Sequence, residues 1–192
     1  MAPDAILFDV DDTLCRYRRS GAALLAAAFD RTGHEPFITR EEYHDRYPAF
    51  VDDSDSMVDL RAGDVEQLAG VDEAVSALSH LPLGVVTNGA PAMQSAKLAA
   101  LGLEEAFDVV VHAGYDAPAK PSPEPFHAAL SALDARPDRA YHVGNSLSSD
   151  VAGARAAGVG AVWLADGTAR PEPEPDHTVE SLTALPALLE DA

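Results

Sequence analysis

The apolar pattern opens with Ala5-Ile6-Leu7-Phe8, four hydrophobic residues in a row that predict a short strand buried on both faces. The strand runs straight into Asp9, Asp11 and Asp12. Beyond Leu14 the period changes. Ser20 is placed to cap a helix carrying Leu24, Leu25, Ala28 and Phe29 on one side and ending at Gly33. Thr39-Arg40-Glu41-Glu42 is a capping box that opens a short helix with Tyr43 and Tyr47 one turn apart, and Pro48 follows. Asp52 to Ser56 is a polar loop. Met57 to Ala69 gives a third, weaker helical pattern interrupted by Gly63. No strand is predicted between 16 and 70.

From Val71 strands and helices alternate. Asp72 to Ser79 reads as a helix, Leu83 to Thr87 as a strand, and Pro91 to Leu101 as a helix with proline in its first turn and Gly102 just past its end. Phe107 to His112 is a strand, Pro123 to Leu133 a helix, Tyr141 to Val143 a strand and Asp150 to Ala157 a helix. Ala161 to Leu164 is the fifth strand. Asp166 to Asp176, with its Pro-Glu repeats, reads as an exposed loop, and Ser181 caps a last helix to about Glu190. This alternation predicts an α/β fold: a doubly wound, Rossmann-like parallel sheet. Residues 1–15 and 71–192 form its core. Residues 16–70 form a small helical cap insertion over the strand ends.

Composition sharpens the picture in two ways. With 32 acidic against 13 basic residues the formal net charge is −19, which makes nucleic acid and anionic membrane poor partners. The lone cysteine, Cys15, excludes an internal disulfide and reads as a packing residue. No apolar run has the length of a membrane span, and no signal-peptide pattern precedes the first strand, so a cytoplasmic location is expected. Lysine appears only twice, at Lys97 and Lys120. An acidic, lysine-poor surface is similar to that of proteins from salt-loving archaea. Self-repulsion then weakens the fold at low salt, so the melting temperature is expected to rise steadily from about 0.05 M to above 1 M KCl, where screening shortens to about 3 Å. A flat profile contradicts this halophilic reading.

The candidate chemistry lies just past strand ends, where open α/β sheets carry it. Asp9 and Asp11 are two residues apart, a spacing that points both carboxylates to one side of an extended segment. Thr87, Asn88 and Gly89 stand at the end of the second strand and can donate hydrogen bonds to an anionic oxygen near a helix start. Lys120-Pro121-Ser122-Pro123 sets one of the two lysines in a stiff turn. Asn145 and Asp150 offer an amide oxygen and a carboxylate five residues apart after the fourth strand. His112 and His142 have no ligand spacing and read as packing residues.

Taken in this order, the fragments FDVDDTL, VTNGAP, KPSPEPF and VGNSLSSDVAGARAAG resemble the four motifs of the haloacid dehalogenase-like hydrolase superfamily. The resemblance is closest to its small phosphatases with a helical cap between the first two motifs. It implies Asp9 as nucleophile, and Asp11 as the acid that protonates the leaving oxygen and then activates water. It also implies Mg²⁺ held by Asp9, the Asp11 carbonyl, Asn145 and Asp150, with Thr87, Asn88, Gly89 and Lys120 around the phosphoryl group and Thr13 orienting the loop. The implied partner is a small phosphorylated metabolite such as phosphoglycolate, a sugar phosphate or a nucleotide. Nothing implies an oligomer.

Asp11 favours phosphoryl transfer, because dehalogenases of the superfamily lack an Asp there. The absence of lysine from 16–70 disfavours phosphonate cleavage. A sugar phosphomutase would use the same core. Asn145 departs from the usual Asp and leaves open a catalytically weak binding or regulatory protein. Arg16, Arg18 and Arg19 form the only dense basic cluster and are read as partners of nearby acids.

Overall fold

The computed structural model describes residues 3–20, 22, 23, 26, 29, 30, 33, 62–165, 167 and 171–190. At its centre is β1 (Ala5–Phe8), paired in parallel with β4 (Leu83–Asn88) on one side and β6 (Ala140–Gly144) on the other. Outside these lie β5 (Val109–Ala113) and, on the far side, β7 (Gly160–Leu164) and β8 (His177–Val179). The order β5-β4-β1-β6-β7-β8 is parallel throughout. The chain builds outward through β4 and β5, then returns to β6 on the opposite flank of β1. That reversal opens a crevice at the carboxyl end of β1, the usual ligand position in such sheets.

The strand pattern sets the two layers. Ile6 and Phe8 pack with α1 (Val71–Leu78) and with Leu182, Leu185 and Leu189 near the C-terminus. Ala5 and Leu7 face Phe126 and Leu130 of α3 (Glu124–Ala132), together with Val151 and Trp163. All four β1 side chains are buried, each large one contributing about 2 kcal/mol of apolar burial. Helix α2 (Pro91–Leu101) starts on proline and stops where Gly102 takes a φ of +71°. A π turn over Leu147–Val151 leads into α4 (Ala152–Ala156), so the helix predicted from Asp150 begins three residues earlier and as a wider turn. Ser181 accepts the Thr183 amide and opens a 3₁₀ turn ahead of α5 (Leu185–Glu190).

Two expectations need correction. The sheet has a sixth strand, β8, which the sequence pattern missed. It is three residues long, with only Val179 buried, too short for a period to show. The span 16–70 also holds strands: β2 (Cys15–Tyr17) and β3 (Val65–Gln67) pair antiparallel, with Arg16 opposite Glu66. Their side chains are mostly polar and half-exposed, so no hydrophobic pattern marked them. The arginine cluster is paired as expected: Arg16 Nε meets Glu66 at 2.9 Å and Arg19 Nε meets Asp64 at 2.9 Å. Ser20 accepts the Ala23 amide at 3.2 Å, Phe29 is buried and Gly33 has a φ of +66°. Leu24, Leu25, Ala28, the capping box at 39–42, Tyr43, Tyr47 and the loop at 52–56 lie outside the described residues. Among the described residues no helix is long and apolar enough to cross a membrane.

Candidate active site

The turn after β1 is built around a single acceptor. The Val10 carbonyl takes the amides of Thr13, Leu14 and Cys15 at 2.9–3.3 Å, and the Asp9 amide donates to Val143 of β6 at 2.9 Å. Asp12 completes the turn at a φ of +57°, a left-handed conformation that Asp tolerates better than most residues. Asp9 is thereby fixed at the strand end and Asp11 beside it.

Lys120 reaches this point from the loop after β5. Its Nζ donates to Asp9 Oδ1, Asp150 Oδ1 and the Val86 carbonyl, each at 2.7 Å. These three acceptors use all the protons of the ammonium, which is buried. Burial alone would lower its pKa, but the Asp9 and Asp150 carboxylates raise it, so Lys120 is charged. Asn88 holds the lysine's own backbone: its Oδ1 accepts the Lys120 amide at 2.9 Å and its Nδ2 donates to the Lys120 carbonyl at 3.2 Å. Both polar atoms of the Asn88 side chain thus help to position Lys120.

Burial pushes the Asp9 carboxyl up to about 6, against the pull of Lys120, and the nearby Asp150 and Asp11 charges add to the push. Asp150 goes the other way. Burial would raise it, but His142 and Lys120 hold it well below the usual carboxylate range. Its Oδ1 also accepts from His142 Nε2 at 3.2 Å and its Oδ2 from the Ser146 amide at 2.9 Å. Burial keeps His142 neutral, with its edge against the Phe126 ring. A Cβ on Gly144 would lie 2.4 Å from Asp150 Cγ, so only glycine leaves room for this carboxylate. Asn145 sits half-buried at the rim, its carbonyl fixed by Trp163 Nε1 at 2.8 Å.

Asp11 is held from the opposite side. Gln94 Nε2 donates to its Oδ2 at 2.9 Å and Lys97 Nζ to its Oδ1 at 2.5 Å. Both donors lie on α2 and are buried. Burial would lower the Lys97 pKa, but Asp11 and Tyr17 raise it above its ordinary value. Its Nζ also lies 5.0 Å from the Tyr17 ring centre. The sequence reading gave neither Gln94 nor Lys97 a place at the site. The scarcity that singled out Lys120 applied equally to Lys97: both lysines of the chain are buried here, one on each carboxylate of the Asp9-Val10-Asp11 run.

The structure therefore brings Asp9, Asp11, Thr87, Asn88, Lys120, Asn145 and Asp150 to one end of the sheet. Thr87 Oγ1 is buried with no hydrogen-bond partner, a donor left over for an incoming oxygen. Three carboxyl and two ammonium groups interlock, with one net negative charge when all three carboxyls are ionised and none when Asp11 carries a proton. Among the described residues no three His, Cys, Asp or Glu side chains form a ready metal cluster. The donors still fit a hard cation. Thr13 Oγ1 lies 3.5 Å from both Asp9 Oδ2 and Asn145 Oδ1, so a carboxylate oxygen and an amide oxygen approach the same hydroxyl. An all-oxygen set with few protein ligands suits Mg²⁺, which keeps several of its waters. A divalent ion would add two positive charges, favourable for a phosphate dianion. Beside Asp12 and Asn145 opens a cavity of about 580 Å³, whose lining includes Arg16, Gln67 and Glu180.

Comparison with known proteins places the chain in a family. The family model for haloacid dehalogenase-like hydrolases matches residues 3–158. A phosphoserine phosphatase of Thermus thermophilus is 41% identical over a stretch covering 53% of this chain and 42% of that protein. The chain thus covers less than half of that relative's length. A ribulose-1,5-bisphosphate 5-phosphatase of Halopiger xanaduensis is 29% identical, with 96% of this chain and 98% of that protein covered. The crystal structure of a phosphatase of the same superfamily from Thermococcus onnurineus superposes with a TM-score of 0.72 at 25% identity, covering 97% of both chains.

Proposed function

The chain belongs to the haloacid dehalogenase-like hydrolases, and from that premise we propose that it is a Mg²⁺-dependent phosphatase of small phosphomonoesters. The observation that carries this reading is the buried Lys120 ammonium, which bridges Asp9 and Asp150 at the sheet end where Thr87 leaves its hydroxyl unpartnered.

The chemistry follows from the positions. An Asp9 oxygen attacks phosphorus, forming an aspartyl-phosphate as the bond to the leaving oxygen breaks. Asp11 gives its proton to that oxygen. Water then attacks the same phosphorus, Asp11 takes up a proton from it, and orthophosphate leaves with the Asp9 carboxylate restored. Lys120 fixes Asp9 and offsets charge on the transferring group, while Thr87 donates to one of its oxygens. Asp9, the Asp11 carbonyl, Asn145 and Asp150 would hold Mg²⁺, with Asp150 also anchoring Lys120. The ion supplies positive charge that cancels repulsion between a carboxylate and a phosphate dianion.

Residues 16–70 are read as the cap, entered through the β2–β3 pair. The cavity beside Asn145 suits the remainder of the substrate. Sugar phosphates are the first class to test, a choice supported by the full-length likeness to a sugar bisphosphate phosphatase. A screen of sugar phosphates, phosphoglycolate and nucleoside monophosphates, with and without Mg²⁺ and across salt, tests the proposal. Metal-dependent release of phosphate is expected, and no release from any substrate contradicts it.

Asn145 gives a separate expectation. A neutral amide holds a hard cation less firmly than a carboxylate, although it also repels phosphate less. The direct metal contact is the larger effect. Asn145→Asp should therefore lower the Mg²⁺ concentration for half-maximal activity, by about 10-fold if it resembles other single-ligand changes. A Mg²⁺ titration of both proteins at fixed high salt measures it. An unchanged or higher requirement would mean that Asn145 is not a ligand.

A further inference from the structure

Asp11 is the group the proposed chemistry asks most of, yet its side chain is 39% exposed. A carboxylate that open to water has little reason to keep one rotamer. What restrains it is α2, where Gln94 and Lys97, one turn apart, each donate to one of its two oxygens. Neither donor is an economical core residue. Lys97 is 3% exposed, and burying an ammonium is costly against an apolar side chain of the same size. Gln94 leaves its own Oε1 buried and unpartnered. The backbone makes room for this pair as well. A Cβ on Gly89 would lie 2.4 Å from Gln94 Nε2, so the glycine beside the phosphate-binding positions also seats the Gln94 amide. On its other side Lys97 lies over the Tyr17 ring, which belongs to the strand leading into residues 16–70.

We infer that Gln94 and Lys97 are positioning residues that hold the Asp11 carboxyl where it meets the leaving oxygen, with Gly89 providing the space for Gln94. The inference rests on the phosphatase reading and adds to it the device that aims the proton donor. It assigns α2 a share in catalysis although neither side chain touches the substrate. An unaimed donor hurts most when the departing oxygen is a poor leaving group. Phenoxide, whose acid has a pKa of about 10 as in tyrosine, needs the proton. Dinitrophenolate leaves without one.

The test compares kcat/KM for phenyl, p-nitrophenyl and 2,4-dinitrophenyl phosphate in the wild type, Lys97→Met and Gln94→Leu, with thermal unfolding of each. Both variants should lose on the order of 10- to 100-fold with phenyl phosphate. With 2,4-dinitrophenyl phosphate they should lose only a few-fold, steepening the dependence on leaving group. Lys97→Met should unfold no more easily than the wild type, because an apolar side chain replaces a buried charge and Asp11 can be hydrated. Equal losses on all three substrates, or no loss, would overturn the inference. If one variant fails to fold, the other still gives the dependence on leaving group. A wild type silent on every substrate would overturn the phosphatase reading itself, and this inference with it.

Discussion

Asp9→Asn is expected to lose phosphatase turnover by roughly 10⁴-fold or more, as removal of a nucleophile does elsewhere, while remaining folded and at least as stable as the wild type. The activity loss follows because an amide oxygen is too poor a nucleophile to form the phosphoenzyme. The stability expectation comes from the site's electrostatics. Burial raises the Asp9 carboxyl to about 6, so the fold prefers its neutral form. For an acid raised in this way, stability is fully present below its unfolded pKa of about 4 and is lost as pH rises through about 6. At pH 7.5 without metal the wild type therefore bears the cost of an ionised, buried carboxylate, whereas Asn does not. Asn can still accept from Lys120. Melting both proteins in chelator and again in Mg²⁺ checks this. The variant's advantage should shrink when metal is added, since only the wild type gains a full ligand.

Lys120→Met is expected to fail on both counts. Turnover should fall by at least about 10²-fold, because the transferring group loses a preorganised positive charge. Stability should fall by about 3 kcal/mol at pH 7.5, the usual result of removing one partner from a buried ion pair. Asp9 and Asp150 would then face each other with nothing between them. Three features distinguish this from ordinary core damage. The deficit in a denaturant titration should narrow at pH 5.5, where Asp9 takes up a proton. Mg²⁺ should restore more stability to the variant than to the wild type. Lys97→Met, the other lysine deletion, should show little deficit, because its partner Asp11 has access to water and Asp9 does not.

Much of this was legible in the chain because the informative segments are long or chemically unusual. Four apolar residues ending in carboxylates mark β1 without ambiguity, and Pro91 and Gly102 bracket α2 by known helix-end preferences. The parallel sheet followed from alternation alone. β8 and the β2–β3 pair did not, because three residues span only one and a half periods of a strand. Arg16 and Glu66 find each other across 50 positions, a pairing no local pattern encodes. The residues named for the site meet at one end of the sheet, but not all their partners could be foreseen. The Asn88 side chain clamps the Lys120 backbone, a contact that no local pattern marks. Gln94 and Lys97 looked like ordinary polar positions on a helix, and only tertiary packing turns them inward onto Asp11. In a chain with two lysines, the second deserved the same weight as the first.

The account stands or falls on a covalent bond between Asp9 and phosphorus. Quenching the enzyme during turnover with borohydride reduces an aspartyl-phosphate to homoserine, and mass spectrometry of the peptides then locates it. The predicted result is conversion at Asp9 that requires both Mg²⁺ and a phosphomonoester and is absent in Asp9→Asn. Steady turnover with no conversion at Asp9, or conversion at another carboxylate, would contradict it.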